Sequence, residues 1–176
     1  MSEALQALYN GNVEQARELL PPEDQLSVFE AAAFGAVERL RAILDADPDQ
    51  VMVVSDDGFT ALHLAVFAEQ DDAARLLLEH GADVNALSAG AIAKVPPLAT
   101  AAFVRSPRLA RLLLDAGADV NGQGEGGFTA LHAAAQNDDE ELVELLLERG
   151  ADPGIANDEG KRPGDLAGTD RLRTLL

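Results

Sequence analysis

The chain has 176 residues, of which 47% are apolar and only 4% are aromatic, and the lack of cysteine excludes disulfides, thiolate catalysis and cysteine-ligated metals. Its 13 basic and 31 acidic residues give a formal net charge of −18, which makes nucleic acid a poor partner and a neutral or basic protein surface a better one, although the same charge also serves solubility. Because neither a secretory signal nor an apolar run of about 18 residues is visible, we expect a soluble, cytoplasmic protein with no membrane contact.

Amphipathic helices are predicted at regular places along the chain. The segments GNVEQARELL and GAVERLRAIL begin at Gly11 and Gly35, and three later helices contain a leucine triplet followed by a glycine at Gly81, Gly117 and Gly150. In DDAARLLLEHG and DDEELVELLLERG the apolar residues recur at helical spacing, and acidic residues occupy the first turn, where they complement the helix dipole. The glycines are typical helix ends.

A second motif precedes each of the three later glycines by a constant interval. The motifs GFTALHLA, VPPLATAAF and GFTALHAAA place Thr60, Pro96 and Thr129 21 residues before those glycines, and 33 residues separate Thr129 from Arg162. The pattern resembles the ankyrin repeat family. The resemblance implies an all-α fold, namely a curved α-solenoid of stacked helix-turn-helix repeats with β-hairpin or loop fingers.

We predict one ankyrin repeat domain over residues 1–176, with a monomer as the expected state. Gly11 and Gly35 are only 24 residues apart, which predicts a truncated first repeat without a hairpin finger, and the C-terminal segment matches only the first half of a repeat. Terminal repeats are expected to differ from the others because they cap the stack. The predicted boundaries are 1–25 for the N-terminal capping repeat, 26–58, 59–94, 95–127 and 128–160 for the repeats, and 161–176 for the partial C-terminal capping repeat.

Two motifs match binding sites in part. The stretch GQGEGG at 122–127 fits the dinucleotide pattern G-x-G-x-x-G, but it follows a helix-ending GADVN and not a strand. A calcium-loop spacing also occurs, with Gln50 where the loop requires glycine. The carboxylates in that spacing are Asp45, Asp47, Asp49 and Asp56. We therefore expect no cofactor and no metal site.

The histidines do not indicate catalysis. No two of them have metal-ligand spacing. A catalytic acid–base pair would have to converge in a pocket, whereas the carboxylates lie mostly in the first turns of repeat helices. The family resemblance implies structural hydrogen bonds between His63 and Thr60 and between His132 and Thr129. We predict that the protein is not an enzyme and has no catalytic residues.

The resemblance implies a partner-binding surface on the concave side, made of finger tips and the exposed faces of the first helices. Five of the six phenylalanines fall on this surface, and aromatic side chains are favoured interface anchors. For Phe59 and Phe128, packing against their own finger is an equal alternative, whereas we expect Phe67 and Phe103 to be exposed. The predicted partner-binding residues are Phe34, Phe59, Phe67, Ile92, Val95, Phe103, Val104 and Phe128.

The middle repeat departs from its neighbours. From Thr60 to Pro96 is 36 residues, three more than the repeat, and the extra residues lie in the finger. Pro96 cannot supply the side-chain cap of a threonine, and Ala99 cannot make the hydrogen bonds implied for His63. We expect this repeat to be less constrained. Its longer finger, residues 86–95, is either a binding determinant or a product of neutral drift.

Protein binding is the predicted function, as an adaptor or regulatory scaffold. One alternative is an inhibitor or immunity-type protein that masks a basic partner such as a nuclease, and its association would be salt-sensitive. A remote alternative of a different class is a metal-dependent hydrolase. The sequence does not identify the partner, because a repeat scaffold determines the shape of a surface and not its target.

Overall fold

The computed structural model describes residues 1–89 and 94–176, which are helical apart from loops and one isolated antiparallel bridge between Val54 and Thr60. They divide into two compact units, an N-terminal unit (1–83 with 88–89) and a C-terminal unit (84–87 with 94–176). The helices of the N-terminal unit are α1 (Glu3–Tyr9), α2 (Val13–Glu18), α3 (Val28–Ala33), α4 (Val37–Ala46), α5 (Ala61–Phe67) and α6 (Asp71–Glu79). Those of the C-terminal unit are α7 (Pro97–Phe103), α8 (Pro107–Asp115), α9 (Ala130–Gln136), α10 (Glu140–Glu148), α11 (Pro163–Leu166) and α12 (Asp170–Leu175).

Each unit is a stack of helix pairs. First helices pack on first helices, as α3 does on α5 and α7 on α9, while second helices pack on second helices, as α4 does on α6 and α8 on α10. Fully buried alanines such as Ala65 and Ala134 let the first helices approach closely. In the leucine triplets the middle residues, Leu77, Leu113 and Leu146, are fully buried. The all-α ankyrin-type architecture predicted from the repeat is therefore confirmed.

Side chains at the helix ends set where the helices start and stop. Thr60 and Thr129 each accept a hydrogen bond from the histidine amide three residues later, and each threonine amide donates to that histidine's Nδ1, which completes a capping box. The predicted stops are also present, because Gly81, Gly117 and Gly150 adopt left-handed φ values of 86°, 93° and 89°.

The turns between first and second helices require the same left-handed conformation. Gly11 and Gly35 meet that requirement with φ values of 77° and 69°. In the next three turns the left-handed position is occupied by Glu69, Arg105 and Asp138, with φ values of 55°, 57° and 51°. A side chain is strained in this region because its Cβ approaches the following carbonyl oxygen.

The connections that form the fingers differ in length in the way the repeat spacing predicts. Residues 47–60, 116–129 and 149–162 each connect two helix pairs with 14 residues, whereas 19–27 has nine and 80–96 has 17. The 14-residue connections share one turn, in which Ser55, Gly124 and Asn157 donate a backbone hydrogen bond to the carbonyl four residues later at 2.9, 2.7 and 2.8 Å. The first repeat thus has only a short 3-10 turn, Glu23–Gln25, in place of a finger.

The C-terminal segment contains more structure than its sequence predicts. Residues 161–176 match the first half of a repeat, yet the second helix α12 follows the four-residue α11. The Thr169 side chain caps α12 by accepting from the Leu172 amide at 3.3 Å, and Leu172 is buried. A cap and one buried leucine are therefore enough to form a short second helix.

The repeat boundaries remain a prediction. Each range from 26–58 to 128–160 contains one helix pair, and so does 1–25. In the middle repeat, Pro96 occupies the N-cap of α7 without a side-chain hydrogen bond, as expected.

Candidate binding surfaces

An aromatic cluster covers the first helices of the N-terminal unit. The ring centroid of Tyr9, at the end of α1, lies 5.4 Å from that of Phe67 in an edge-on arrangement and 6.1 Å from that of Phe59. Tyr9 and Phe59 pack against a buried core that includes Leu64 and Ala33. Edge-to-face ring pairs at such distances are favourable beyond the area they bury.

The expected exposure of Phe67 is therefore wrong. Its side chain is half-buried because Tyr9, a residue that the sequence analysis did not single out, packs against it. Aligning the repeats on their turns identifies Tyr9 as the equivalent of Phe67, because Tyr9 lies two residues before Gly11 and Phe67 lies two residues before Glu69. The residue between them in the stack is Ala33, whose small side chain allows the two rings to meet.

The Tyr9 hydroxyl adds a polar atom to this apolar cluster. Its oxygen is buried, and the Asp57 carboxylate is a neighbouring polar group. Burial raises the pKa of Tyr9 well above its usual range, and the Asp57 carboxylate raises it further. The phenol therefore stays neutral, and Phe59 and Phe67 lie in a packed aromatic cluster with it.

A cavity of about 220 Å³ adjoins this cluster at Phe67 and lies at the turns of the first three helix pairs. Its walls are mostly apolar, and it lies entirely within the N-terminal unit. The lining side chains include Leu8, Val13, Phe34, Phe67, Ala68 and Glu69. Two of the predicted binding residues, Phe34 and Phe67, line this cavity and are half-buried.

The C-terminal unit presents a different first-helix surface. Phe103, at the end of α7, is 68% exposed, and within residues 94–176 its ring meets no other aromatic ring. Its expected exposure is confirmed. Ala99 lies four residues before Phe103 on the same side of α7, and Val95 lies just before the helix begins. Val95, Ala99 and Val104 are half-buried. Together Val95, Ala99, Phe103 and Val104 form an apolar strip, which we call the α7 strip.

The next repeat shows why the α7 strip is open. There Phe128 packs on the His132 ring at a centroid distance of 5.3 Å, and His132 is fully buried. The Phe128 ring thus contacts the first helix of its own repeat, α9. Because the middle repeat has Val95 and Ala99 at the corresponding positions, no such ring pair covers its helix.

The remaining predicted binding residue, Ile92, lies outside the described residues. The finger 86–95 is described only at residues 86–89 and at 94 and 95. Lys94 continues the C-terminal unit, where its carbonyl accepts a hydrogen bond from the Glu125 amide of the next finger at 2.6 Å.

The histidines have structural roles in this geometry. The Thr60 hydroxyl lies 2.8 Å from His63 Nδ1, and Thr129 makes the same contact with His132. His132 Nε2 also contacts the Lys161 carbonyl in the next finger at 3.1 Å. Burial lowers the pKa of His132, although the Lys161 carbonyl opposes this effect. The hydrogen bonds expected from the family resemblance are therefore present.

Two carboxylates of the partial calcium motif have structural roles. Asp47 caps the 3-10 turn Pro48–Met52 by accepting from the Asp49 amide, and Asp45 lies 3.4 Å from His80. Residues 1–89 and 94–176 contain no group of three or more histidine, aspartate or glutamate side chains placed to hold a metal ion. In the same ranges no helix is long and apolar enough to cross a membrane.

Charge is distributed unequally along the chain. Residues 1–83 contain 17 acidic and four basic residues, whereas residues 94–176 contain 14 acidic and nine basic ones. The N-terminal unit therefore carries most of the net negative charge, and the α7 strip lies in the less acidic part of the chain.

Comparison with known proteins agrees with this architecture. A family model described as ankyrin repeats (3 copies) matches residues 4–88 and 90–157. Human B-cell lymphoma 3 protein is 36% identical over 140 residues, which is 78% of this chain and 30% of that protein. Human ankyrin repeat and SOCS box protein 3 is 36% identical over 169 residues, covering 89% of this chain and 32% of that protein. Palmitoyltransferase akr1 of Schizosaccharomyces pombe is 39% identical over 137 residues, 78% of this chain and 21% of that protein. The chain thus spans a third or less of the length of these relatives.

Proposed function

The chain belongs to the ankyrin repeat family, whose repeats mediate protein binding, and we propose that it acts as an adaptor or regulatory scaffold. It binds a partner protein through first-helix and finger surfaces and performs no catalysis of its own. We place this role in the cytoplasm and assign it to a monomer.

The observation that carries the proposal is the exposure of Phe103. A phenylalanine buries about 150–250 Å² when it is covered, so about 70% exposure leaves over 100 Å² of ring surface in water, equivalent to roughly 3 kcal/mol of transfer free energy. The adjoining Val95, Ala99 and Val104 enlarge this apolar area and leave room for a partner side chain. Buried aromatic anchors surrounded by smaller contacts dominate the energy of most interfaces.

Charge favours a neutral or basic partner surface. The net charge of −18 raises the local concentration of cationic proteins and repels acidic ones. Around the α7 strip itself, Lys94 and Arg105 moderate this field, so the centre of the interface is apolar and its surroundings are mixed.

Quantitative affinity capture tests the proposal. The wild type, Phe103→Ala and Met52→Ala are immobilised, and bound proteins are compared by mass spectrometry. Met52 is 57% exposed on the turn between α4 and α5, which makes it a matched control of similar exposure. We expect partners to be lost with Phe103→Ala and kept with Met52→Ala. Equal capture by all three folded proteins would contradict the role of the α7 strip.

A second candidate function rests on the acidic N-terminal unit. With 17 acidic and four basic residues in 83, this part of the chain is suited to mask a basic protein such as a nuclease. Affinity for such a partner would fall steeply between low and physiological salt, because rim charges act mainly through screened, long-range attraction. An adaptor that depends on Phe103 would respond weakly to salt.

A further inference from the structure

The cavity at the turns of the N-terminal unit has the size of a side-chain pocket. Its volume of about 220 Å³ is smaller than the roughly 300–1,000 Å³ of sites that hold a whole small molecule. Leu8, Phe34 and Phe67 supply its apolar walls, and Val13, at the first position of α2, is 47% exposed at its edge. An aliphatic side chain of moderate size therefore fits it better than a cofactor.

The charges around the cavity favour a positively charged ligand. Glu69 lines the cavity and is exposed, and the exposed Glu14 adjoins Val13. Arg17 is the basic residue that lines the cavity. Glu14 lies three residues before Arg17 on α2, so the two side chains are neighbours and Glu14 offsets part of the positive charge of Arg17. The N-terminal unit as a whole has 17 acidic and four basic residues, so an approaching acidic segment is repelled.

We infer that this cavity is a docking site for a segment of another protein that presents one aliphatic side chain, such as leucine, between lysine or arginine residues. The aliphatic side chain enters between Val13, Phe34 and Ala68, and the flanking cations face Glu14 and Glu69. This site is separate from the α7 strip and does not depend on the function proposed for Phe103.

A titration with a synthetic peptide tests the site directly. The probe is a nine-residue peptide with one central leucine, two lysines on each side and serines at the remaining positions. Amide chemical shifts of ¹⁵N-labelled full-length protein are followed at low salt. We expect shifts concentrated at residues 8, 13, 34 and 67–69, and about tenfold weaker binding when serine replaces the leucine. A peptide with glutamates in place of the lysines should not bind.

Two variants test separately the contributions of the open cavity and of the acidic charge to peptide binding. Ala68→Leu fills the cavity at the C-cap of α5 without changing charge, and we expect at least about tenfold weaker binding. Glu69→Gly removes a carboxylate and relieves a left-handed side chain, so affinity should fall about two- to fivefold while the unfolding midpoint rises. Met52→Ala, at an exposed residue that does not line the cavity, is the control that should bind the peptide like the wild type.

Three results would overturn the inference. They are equal binding of the leucine and serine peptides, unchanged affinity in a folded Ala68→Leu variant, and shift changes located elsewhere. Failure of the role proposed for Phe103 is recognised separately, because that role is read from partner capture by Phe103→Ala and not from this peptide.

Discussion

Two phenylalanines at equivalent helix ends should contribute very differently to stability. Phe67 ends α5 and Phe103 ends α7, but Phe67 is half-buried against Tyr9 whereas Phe103 is 68% exposed. Truncation of a fully buried phenylalanine to alanine costs about 3–5 kcal/mol, and the ring pair itself is worth about 0.5–1.5 kcal/mol. For the half-buried Phe67 we expect a loss of about 2–3 kcal/mol, and for Phe103→Ala a change within about 0.5 kcal/mol.

Thermal unfolding followed by far-UV circular dichroism measures the difference. For a chain of this size about 1 kcal/mol corresponds to roughly 2–4 °C, so Phe67→Ala should lower the midpoint by about 4–12 °C and Phe103→Ala by less than about 2 °C. Tyr9→Ala should reproduce much of the Phe67 effect, and the double variant should lose less than the sum because the two rings contact each other. Equal midpoints for Phe67→Ala and Phe103→Ala would refute the argument from the aromatic cluster.

Three further changes have signs that follow from local geometry. Glu69→Gly should raise the free energy of unfolding by up to about 1 kcal/mol because it removes left-handed strain. Gly11→Ala should lower it by about 1 kcal/mol for the same reason, although a Cβ at Gly11 would meet no atom beyond its chain neighbours within 4 Å. Urea titration of both variants measures these two changes. Pro96→Thr combined with Ala99→His restores a capping box to α7 and should add about 0.5–2 kcal/mol in the same assay, and an unchanged value would mean that the reshaped finger cannot accommodate the cap. Burial lowers the pKa of His132, so the stability that its neutral form contributes is fully present above the ordinary histidine pKa of about 6.5 and falls as the pH decreases below that value. Urea titrations at a series of pH values should show this decline in the wild type but not in His132→Gln. A decline of equal size in His132→Gln would mean that other groups cause it.

Local structure was predictable because its determinants lie close together in the chain. The leucine triplets, the threonine–histidine caps and the glycine stops each act within one helix or one turn, and the structure has them where the spacing predicts. The three extra residues before Pro96 lie in the connection 80–96, as expected from the distance between motifs. The helix α12 was missed because it depends on the burial of Leu172, which no local pattern indicates.

The sequence by itself therefore determined the fold class, the repeat and the helices, since helical periodicity and caps are short-range properties of the chain. It did not determine which first-helix side chains are exposed. Phe67 and Phe103 have the same residue type and the same place in the repeat, yet one is covered and the other is open. Tertiary structure decided this, because exposure depends on what the adjacent repeats supply, and Tyr9 reaches Phe67 across the small Ala33 whereas no ring in the C-terminal unit reaches Phe103.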